Sequence, residues 1–160
     1  NHRALLETWK LVLEAMPEAK LWLVGRRSLR EELENFCRDN HLSQNVTFWG
    51  ERRDVPHLLW KAQVFVFSSS SEGFGTVLLE ALAAGLRIVT SDIPACREVL
   101  QNGRYGVLVD VNNRQLFAQT IIEALKQGKL NHDEWQKSRE YIEQFTPAAM
   151  VKHYLEIVNQ

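Results

Sequence analysis

The chain has no apolar run of about 18 residues or more, the length that a membrane-spanning helix needs, and it carries no signal-peptide pattern. It is also poor in cysteine. Cys37 and Cys96 are the only two thiols in 160 residues, and a pair so spaced fits neither a disulfide framework nor a metal-ligand motif, so both are expected reduced. An excess of one charge sign is missing too: 19 Lys and Arg stand against 20 Asp and Glu, interspersed rather than in blocks. Nothing here draws nucleic acid or an anionic lipid surface by charge alone, and no nucleic-acid partner is expected. An Asp-x-Asp pair and any cluster of His, Asp and Glu at ligand spacing are likewise absent, so neither a metal nor another cofactor is expected. The want of a Gly-Lys-Ser/Thr triplet excludes a P-loop phosphotransferase.

What is present is a 45% hydrophobic, 24% charged sequence, suited to one globular domain spanning residues 1–160 with a core of its own. Short apolar runs alternate with amphipathic stretches. Leu5, Leu6, Trp9, Val12, Leu13 and Met16 keep helical spacing ahead of Pro17, and a second helix, with Ser28 as its cap, places Leu29, Leu33, Phe36 and Cys37 on one side. Further helices are expected from Val55 to Ala62, Thr76 to Ala84, Arg97 to Leu100, Gln115 to Lys126, His132 to Gln144 and Pro147 to Val158. The strands read as Lys20 to Gly25, Val46 to Gly50, Val64 to Phe67, Arg87 to Thr90 and Tyr105 to Val109. Apolar strands alternating with helices predict a Rossmann-like three-layer α/β/α domain, its parallel sheet covered on both faces. In such sheets ligands sit beyond the carboxyl ends of the strands. The loops there are Gly25-Arg26-Arg27, Gly50 to Arg53, Ser68 to Gly75 and Ser91 to Pro94.

One of those loops carries the strongest chemical signal. Phe67 to Gly85 reads as a strand, a polar turn around Gly73-Phe74-Gly75, then a helix with Glu80 eight positions after Glu72. The turn lets backbone N–H groups converge, and the helix start near Thr76 adds unpaired donors and a positive dipole end, which suits a phosphate. A carboxylate beside a diphosphate would be repelled unless it met hydroxyl donors, so Glu72 and Glu80 read as acceptors for sugar or ribose O–H groups. A dinucleotide dehydrogenase is disfavoured, because Leu78 stands where a Gly-x-Gly-x-x-Gly motif would end.

The segment Glu72-Gly-Phe-Gly-Thr-Val-Leu-Leu-Glu80 resembles the Glu, seven residues, Glu signature of retaining family 4 (group 1) glycosyltransferases of the two-domain GT-B fold. Leu21 to Gly25, Val46 to Gly50, Val64 to Ser69 and Glu98-Val-Leu…Gly106-Val-Leu-Val109 also fall in that family's order, so the resemblance covers nearly the whole chain. It implies the C-terminal, donor-binding half of such an enzyme, with an N-terminal acceptor domain and this domain's first strand lying outside the sequence. A chain that starts at Asn1 is then expected to be a fragment, inactive alone.

Carried over by position, the resemblance implies that Glu80 binds ribose hydroxyls and that Glu72, the catalytic candidate, contacts the transferred sugar. The N–H groups of Gly73, Phe74, Gly75, Thr76 and Val77 would meet the sugar and the distal phosphate, and Gly50, Glu51 and Arg52 the base. The family's Arg and Lys pair would lie upstream of Asn1, and its catalytic-region His in the other domain. The implied reaction moves a sugar from a nucleotide diphosphate sugar, UDP by family frequency, to a glycan or glycolipid acceptor, as in polysaccharide or lipopolysaccharide biosynthesis. It would run in the cytoplasm or at the inner membrane face, with peripheral membrane contact through the other domain. A GT-B nucleotide-sugar epimerase and a noncatalytic nucleotide-binding domain are the alternatives.

Each element also has a plainer reading. Glu80 can be a helix-surface carboxylate, Glu72 a turn residue, and Gly73 to Gly75 a tight connection. Asp92 is read as a cap of the following turn, the tryptophans as core with Trp49 least so, and Tyr141, Phe145, Tyr154, Leu155 and Val158 as packing partly against another domain. Arg26, Arg27, Arg52 and Arg53 are candidate rim cations.

Overall fold

The computed structural model describes residues 1–25, 29–146 and 149. The expected cap Ser28, the rim residues Arg26 and Arg27, and the aromatic and apolar residues Tyr154, Leu155 and Val158 lie outside them, as does most of the helix expected from Pro147. The elements are α1 (His2–Ala15), β1 (Leu21–Val24), α2 (Arg30–Asp39), β2 (Val46–Gly50), α3 (Val55–Lys61), β3 (Val64–Phe67) and α4 (Thr76–Ala83). They continue as β4 (Arg87–Ser91), α5 (Pro94–Val99), β5 (Val107–Val109), α6 (Arg114–Gln127) and α7 (His132–Ile142), closed by a 3-10 turn at Glu143–Phe145.

Every strand pair is parallel, and the layers follow from β4. Neighbouring residues of a strand point to opposite faces. Val89 packs in a core with Leu5, Leu6, Trp9 and Val12 of α1, Leu33 and Cys37 of α2, and Phe117, Ala118 and Ile121 of α6. Ile88 packs in a second core with Leu59 of α3, Leu78, Ala81 and Leu82 of α4, Cys96 and Val99 of α5, and Tyr141 of α7. Helices therefore cover both faces of the β3–β4–β5 group, α1 and α6 on one side and α3, α4, α5 and α7 on the other, while β1 and β2 share only the core of α1, α2 and α6.

The expected single sheet is divided. Among the described residues β1 pairs with β2, and β3 with β4 and β5, but no ladder joins the two groups. Between them lies a cavity of about 1290 Å³ lined by both facing strands, Leu21 to Val24 and Val64 to Phe67, and by Leu5, Trp9, Ile121 and Leu125. An edge with no neighbour explains why all four residues of β3 are only half-buried.

Local chemistry sets the boundaries. Pro94 opens α5 where its missing N–H costs nothing, three residues before the expected start. The strand expected from Tyr105 begins at Val107, because Tyr105 stacks on Tyr141 of α7 with ring centroids 4.2 Å apart. Asn131 caps α7 in a reciprocal box: its side chain accepts from the Glu134 N–H, and Glu134 accepts from the Asn131 N–H, both at 2.9 Å.

Candidate functional site

The loop after β3 is tied down at its base. Ser68 is buried and its Oγ donates to the Asn1 carbonyl at 3.1 Å, while Ser91 Oγ on β4 donates to the Phe67 carbonyl at 3.3 Å. Ser69 Oγ closes a small turn onto the Ser71 carbonyl at 3.0 Å. The chain then climbs through exposed Glu72, Gly73 and Phe74 to buried Gly75.

Gly75 is the residue before α4 and takes a left-handed conformation, φ 72° and ψ 41°, that an L side chain adopts only with strain. Its carbonyl accepts from the Leu78 N–H at 2.9 Å, and among the described residues no side chain caps the helix. The first amides of α4 accordingly have no partner within the helix and face outward at its positive end. Gly73 differs. Its φ is not positive and a methyl group there would meet nothing within 4 Å, so the backbone gains no conformational relief from glycine at that position. A side chain would instead project into the open space in front of the loop.

Val77 and Glu80 are three apart on α4 and share a face. With Glu72 they line the same cavity that separates β1 from β3, joined at its mouth by Glu51, Arg52, Ser68 and Ser69. The structure thus gathers five of the candidate residues, Glu51, Arg52, Glu72, Val77 and Glu80, around one hollow. Gly50, Gly73, Phe74, Gly75 and Thr76 fall outside that lining, among the described residues. Gly50 still helps shape the mouth, since it takes φ 67° at the end of β2 and its carbonyl accepts from the Gly25 N–H at 3.0 Å.

The charges near the site are mostly paired. Arg52 donates to both oxygens of Asp54, at 2.7 and 2.6 Å, and lies over the Trp49 ring at 5.0 Å. The hydrogen bonds from Arg52 hold the Asp54 carboxyl down to about 2. Asp92 does not cap α5: it accepts two bonds from Arg97, at 2.5 and 2.7 Å, which lower its pKa, and the residue before α5 is Ile93. Cys96 lies buried beneath the loop, with Thr90 Oγ1 donating to its sulfur at 3.2 Å. Burial first, and then the fields of Glu72 and Asp92, raise its pKa and keep it a neutral thiol.

Two expectations about aromatic residues meet the structure here, and the first is corrected. Of the five tryptophans only Trp9 is in the core; Trp22, Trp49 and Trp60 are 36%, 37% and 62% exposed. Trp22 and Trp49 meet edge to face at 6.1 Å on the uncovered face of the β1–β2 pair. The second concerns Tyr141 and Phe145, whose described contacts lie within this domain and leave their partial packing against another one untouched: the Tyr141 hydroxyl donates to the Val99 carbonyl at 2.7 Å, and Phe145 meets Phe74. That contact with the loop is one the sequence did not foretell for Phe145.

Comparison with known proteins gives this geometry a family. Residues 1–127 match the model for glycosyl transferases group 1. N-acetyl-alpha-D-glucosaminyl L-malate synthase of Bacillus anthracis is 32% identical over 91% of this chain and 38% of its own length. The lipopolysaccharide core biosynthesis glycosyltransferase LpsE of Rhizobium meliloti is 29% identical over 89% of this chain and 42% of its own. The chain therefore spans about two fifths of these relatives. Among solved structures, S. aureus TarM in complex with UDP superposes over 100% of this chain and 33% of its own, with a TM-score of 0.83 and 22% identity. The pneumococcal O-GlcNAc transferase GtfA, in complex with UDP and GlcNAc, covers 99% of this chain and 33% of its own at 0.77 and 19%. The parallel α/β architecture is thus the one found in solved GT-B glycosyltransferases, and the chain belongs to the glycosyl transferases group 1 family.

Proposed function

We propose that this chain is the donor-binding domain of a retaining glycosyltransferase that moves a sugar from a nucleotide diphosphate sugar to a glycan or glycolipid hydroxyl. The observation that carries the reading is one hollow holding Glu72 and Glu80, with the uncapped amino end of α4 between them in sequence. Two carboxylates suit hydroxyl donors, and free amides suit a phosphate. The presence of UDP in both structural neighbours supports UDP as the nucleotide. An acceptor domain in the same protein would close over the mouth of the cavity, and any peripheral contact with the inner membrane face would come from that domain. The described helices include none long and apolar enough to cross a membrane.

In this scheme Glu80 accepts from the ribose hydroxyls and Glu72 from the hydroxyls of the sugar in transit, while Gly50, Glu51 and Arg52 border the base. The bond between the anomeric carbon and the distal phosphate oxygen breaks with its electron pair going to that oxygen, and the acceptor oxygen bonds the carbon on the same face while its proton passes to the departing phosphate. Negative charge accumulates on the departing phosphate. The amides of Gly73 to Val77 stabilise it as an oxyanion hole does, each such donor being worth about 3 kcal/mol. The scheme calls on no metal, the backbone donors taking the part that a divalent ion plays elsewhere.

Calorimetric titration of the full-length protein with UDP, GDP and ADP, repeated on Glu80→Ala, tests the reading. Wild-type binding of at least one nucleotide is expected, weakened about tenfold or more by losing a charged acceptor worth about 1.5–3 kcal/mol. Failure to bind any of the three would overturn it. Binding accompanied by release of an epimerised free sugar, with no transfer, would point to an epimerase instead.

A further inference from the structure

The loop that carries Glu72 has no side-chain cap at Gly75 and a glycine on each side of Phe74, so its own sequence does little to fix it. Something else must hold its amides in place. Phe74 is 39% exposed, and its ring meets that of Phe145 with centroids 5.8 Å apart and planes at 57°. Phe145 in turn meets Tyr141 edge to face at 5.3 Å and 78°, and Tyr141 stacks on Tyr105 at 4.2 Å and 12°. The Tyr141 hydroxyl ends the series on the Val99 carbonyl at the close of α5.

Four rings thus run from the tip of the loop to the buried second core. Tyr141 is 8% exposed and belongs to that core, so the inner end of the series is packed among residues of α4, β4 and α5. Phe145 is the hinge between the fixed pair and the loop. It follows α7 directly in the 3-10 turn Glu143–Phe145, and the Gln144 side-chain amide donates to the Tyr141 carbonyl at 2.9 Å, which steadies that turn. Aromatic pairs of this geometry contribute beyond the area they bury, and they fix orientation as well as distance.

We propose that Phe145 is a positioning residue for the donor loop: by gripping Phe74 it sets where the amides of Gly73 to Thr76 point, and so couples the end of α7 to phosphate binding. The inference rests on reading that loop as the phosphate site. It adds a role for a residue far away in sequence that touches no substrate.

The test uses the full-length protein and three variants, Phe145→Ala, Phe145→Leu and Phe145→Tyr, with UDP titration, steady-state kinetics and thermal unfolding for each. Phe145→Ala is expected to weaken UDP binding about tenfold and to lower kcat as well as raise KM, because misaimed donors lose most in the transition state. Phe145→Leu keeps apolar volume without a ring and is expected to stay impaired. Phe145→Tyr restores the ring and is expected to come within about twofold of wild type. A folded Phe145→Ala protein with unchanged UDP affinity and KM would overturn the proposal, as would full rescue by Phe145→Leu. If Phe145→Ala does not fold, the contrast between Leu and Tyr decides. Should wild type itself bind no nucleotide, the donor-site reading fails, a result distinct from wild-type binding that survives removal of the ring.

Discussion

The Arg87 guanidinium donates to both carboxylate oxygens of Glu134, at 3.3 and 2.9 Å, fastening the first residue of β4 to the first turn of α7. Glu134 also completes the cap of its own helix with Asn131. Its pKa lies below the usual 4.5, mainly through the Asn131 N–H and then through Arg87. A carboxyl whose pKa is depressed by folding contributes stability that is fully present above its unfolded value and is lost as pH falls through the folded one. Thermal unfolding followed from pH 7 downward is thus expected to show a decline that sets in near pH 4.5. Glu134→Gln makes it shallower, Asp54 and Asp92 still contributing; a Gln carbonyl can keep accepting from the Asn131 N–H, so the loss at neutral pH is that of the part-exposed Arg87 ion pair, about 0.5–1 kcal/mol.

Gly106 tolerates no side chain. A methyl group there would stand 3.0 Å from Ile88 Cβ and 3.0 Å from Leu100 Cδ1, both buried, where the chain enters β5. Gly106→Ala is expected to cost about 1–3 kcal/mol, as overpacking of a filled core does. Chemical denaturation is the measurement, and an unchanged midpoint would contradict the packing described for β4 and β5.

The two glycines flanking Phe74 are expected to separate folding from binding. Gly75→Ala forces an L residue into the left-handed region and should destabilise by about 1–2 kcal/mol. Gly73→Ala strains nothing and leaves the unfolding curve in place, but its methyl group stands in the open space before the loop. It should weaken nucleotide binding by calorimetry while the melting temperature holds. Equal effects of both variants on stability would argue against the geometry assigned to the turn.

The thiols are expected to be silent. Burial, with Glu34 nearby, pushes Cys37 up to about 11, and burial also raises Cys96. Since the thiolate is the reactive form, iodoacetamide at pH 8 should label neither in the native protein and both in denaturant. Rapid native labelling of Cys96 would mean that the loop above it opens.

Much of this fold is written in local pattern. Val64-Phe-Val-Phe and Arg87-Ile-Val-Thr declare strands by composition, and the Gly-x-Gly step before Thr76 declares a helix start by backbone demand. Pairing is not local: the run Leu21 to Val24 specifies a strand but says nothing of which edge it meets, so the division between β1 and β3 could not be read from it. Exposure depends on the other layers in the same way. Trp22 and Trp49 look like core by type, yet each stands opposite the face that α1 and α2 cover. Asp92 resembles a cap by type, but Pro94 starts α5 two residues later and leaves Asp92 aligned with Arg97 one turn on. Glu72 and Glu80 stand out because one carboxylate precedes a glycine turn and the other follows it on α4, and the structure sets both on one cavity. The pairing of Phe145 with Phe74 does not show in the sequence, since the two lie 71 positions apart.

The hollow behind Glu72 and Glu80 has an unusual floor. Besides the side chains of Leu5, Trp9, Ile121 and Leu125, it is bordered by the facing edges of β1 and β3, which no ladder joins among the described residues and which carry main-chain amides and carbonyls. Such rims do not discriminate by residue type. Any extended stretch of polypeptide of matching polarity would find a ready-made docking rail there, hydrogen-bonding to both rims at once.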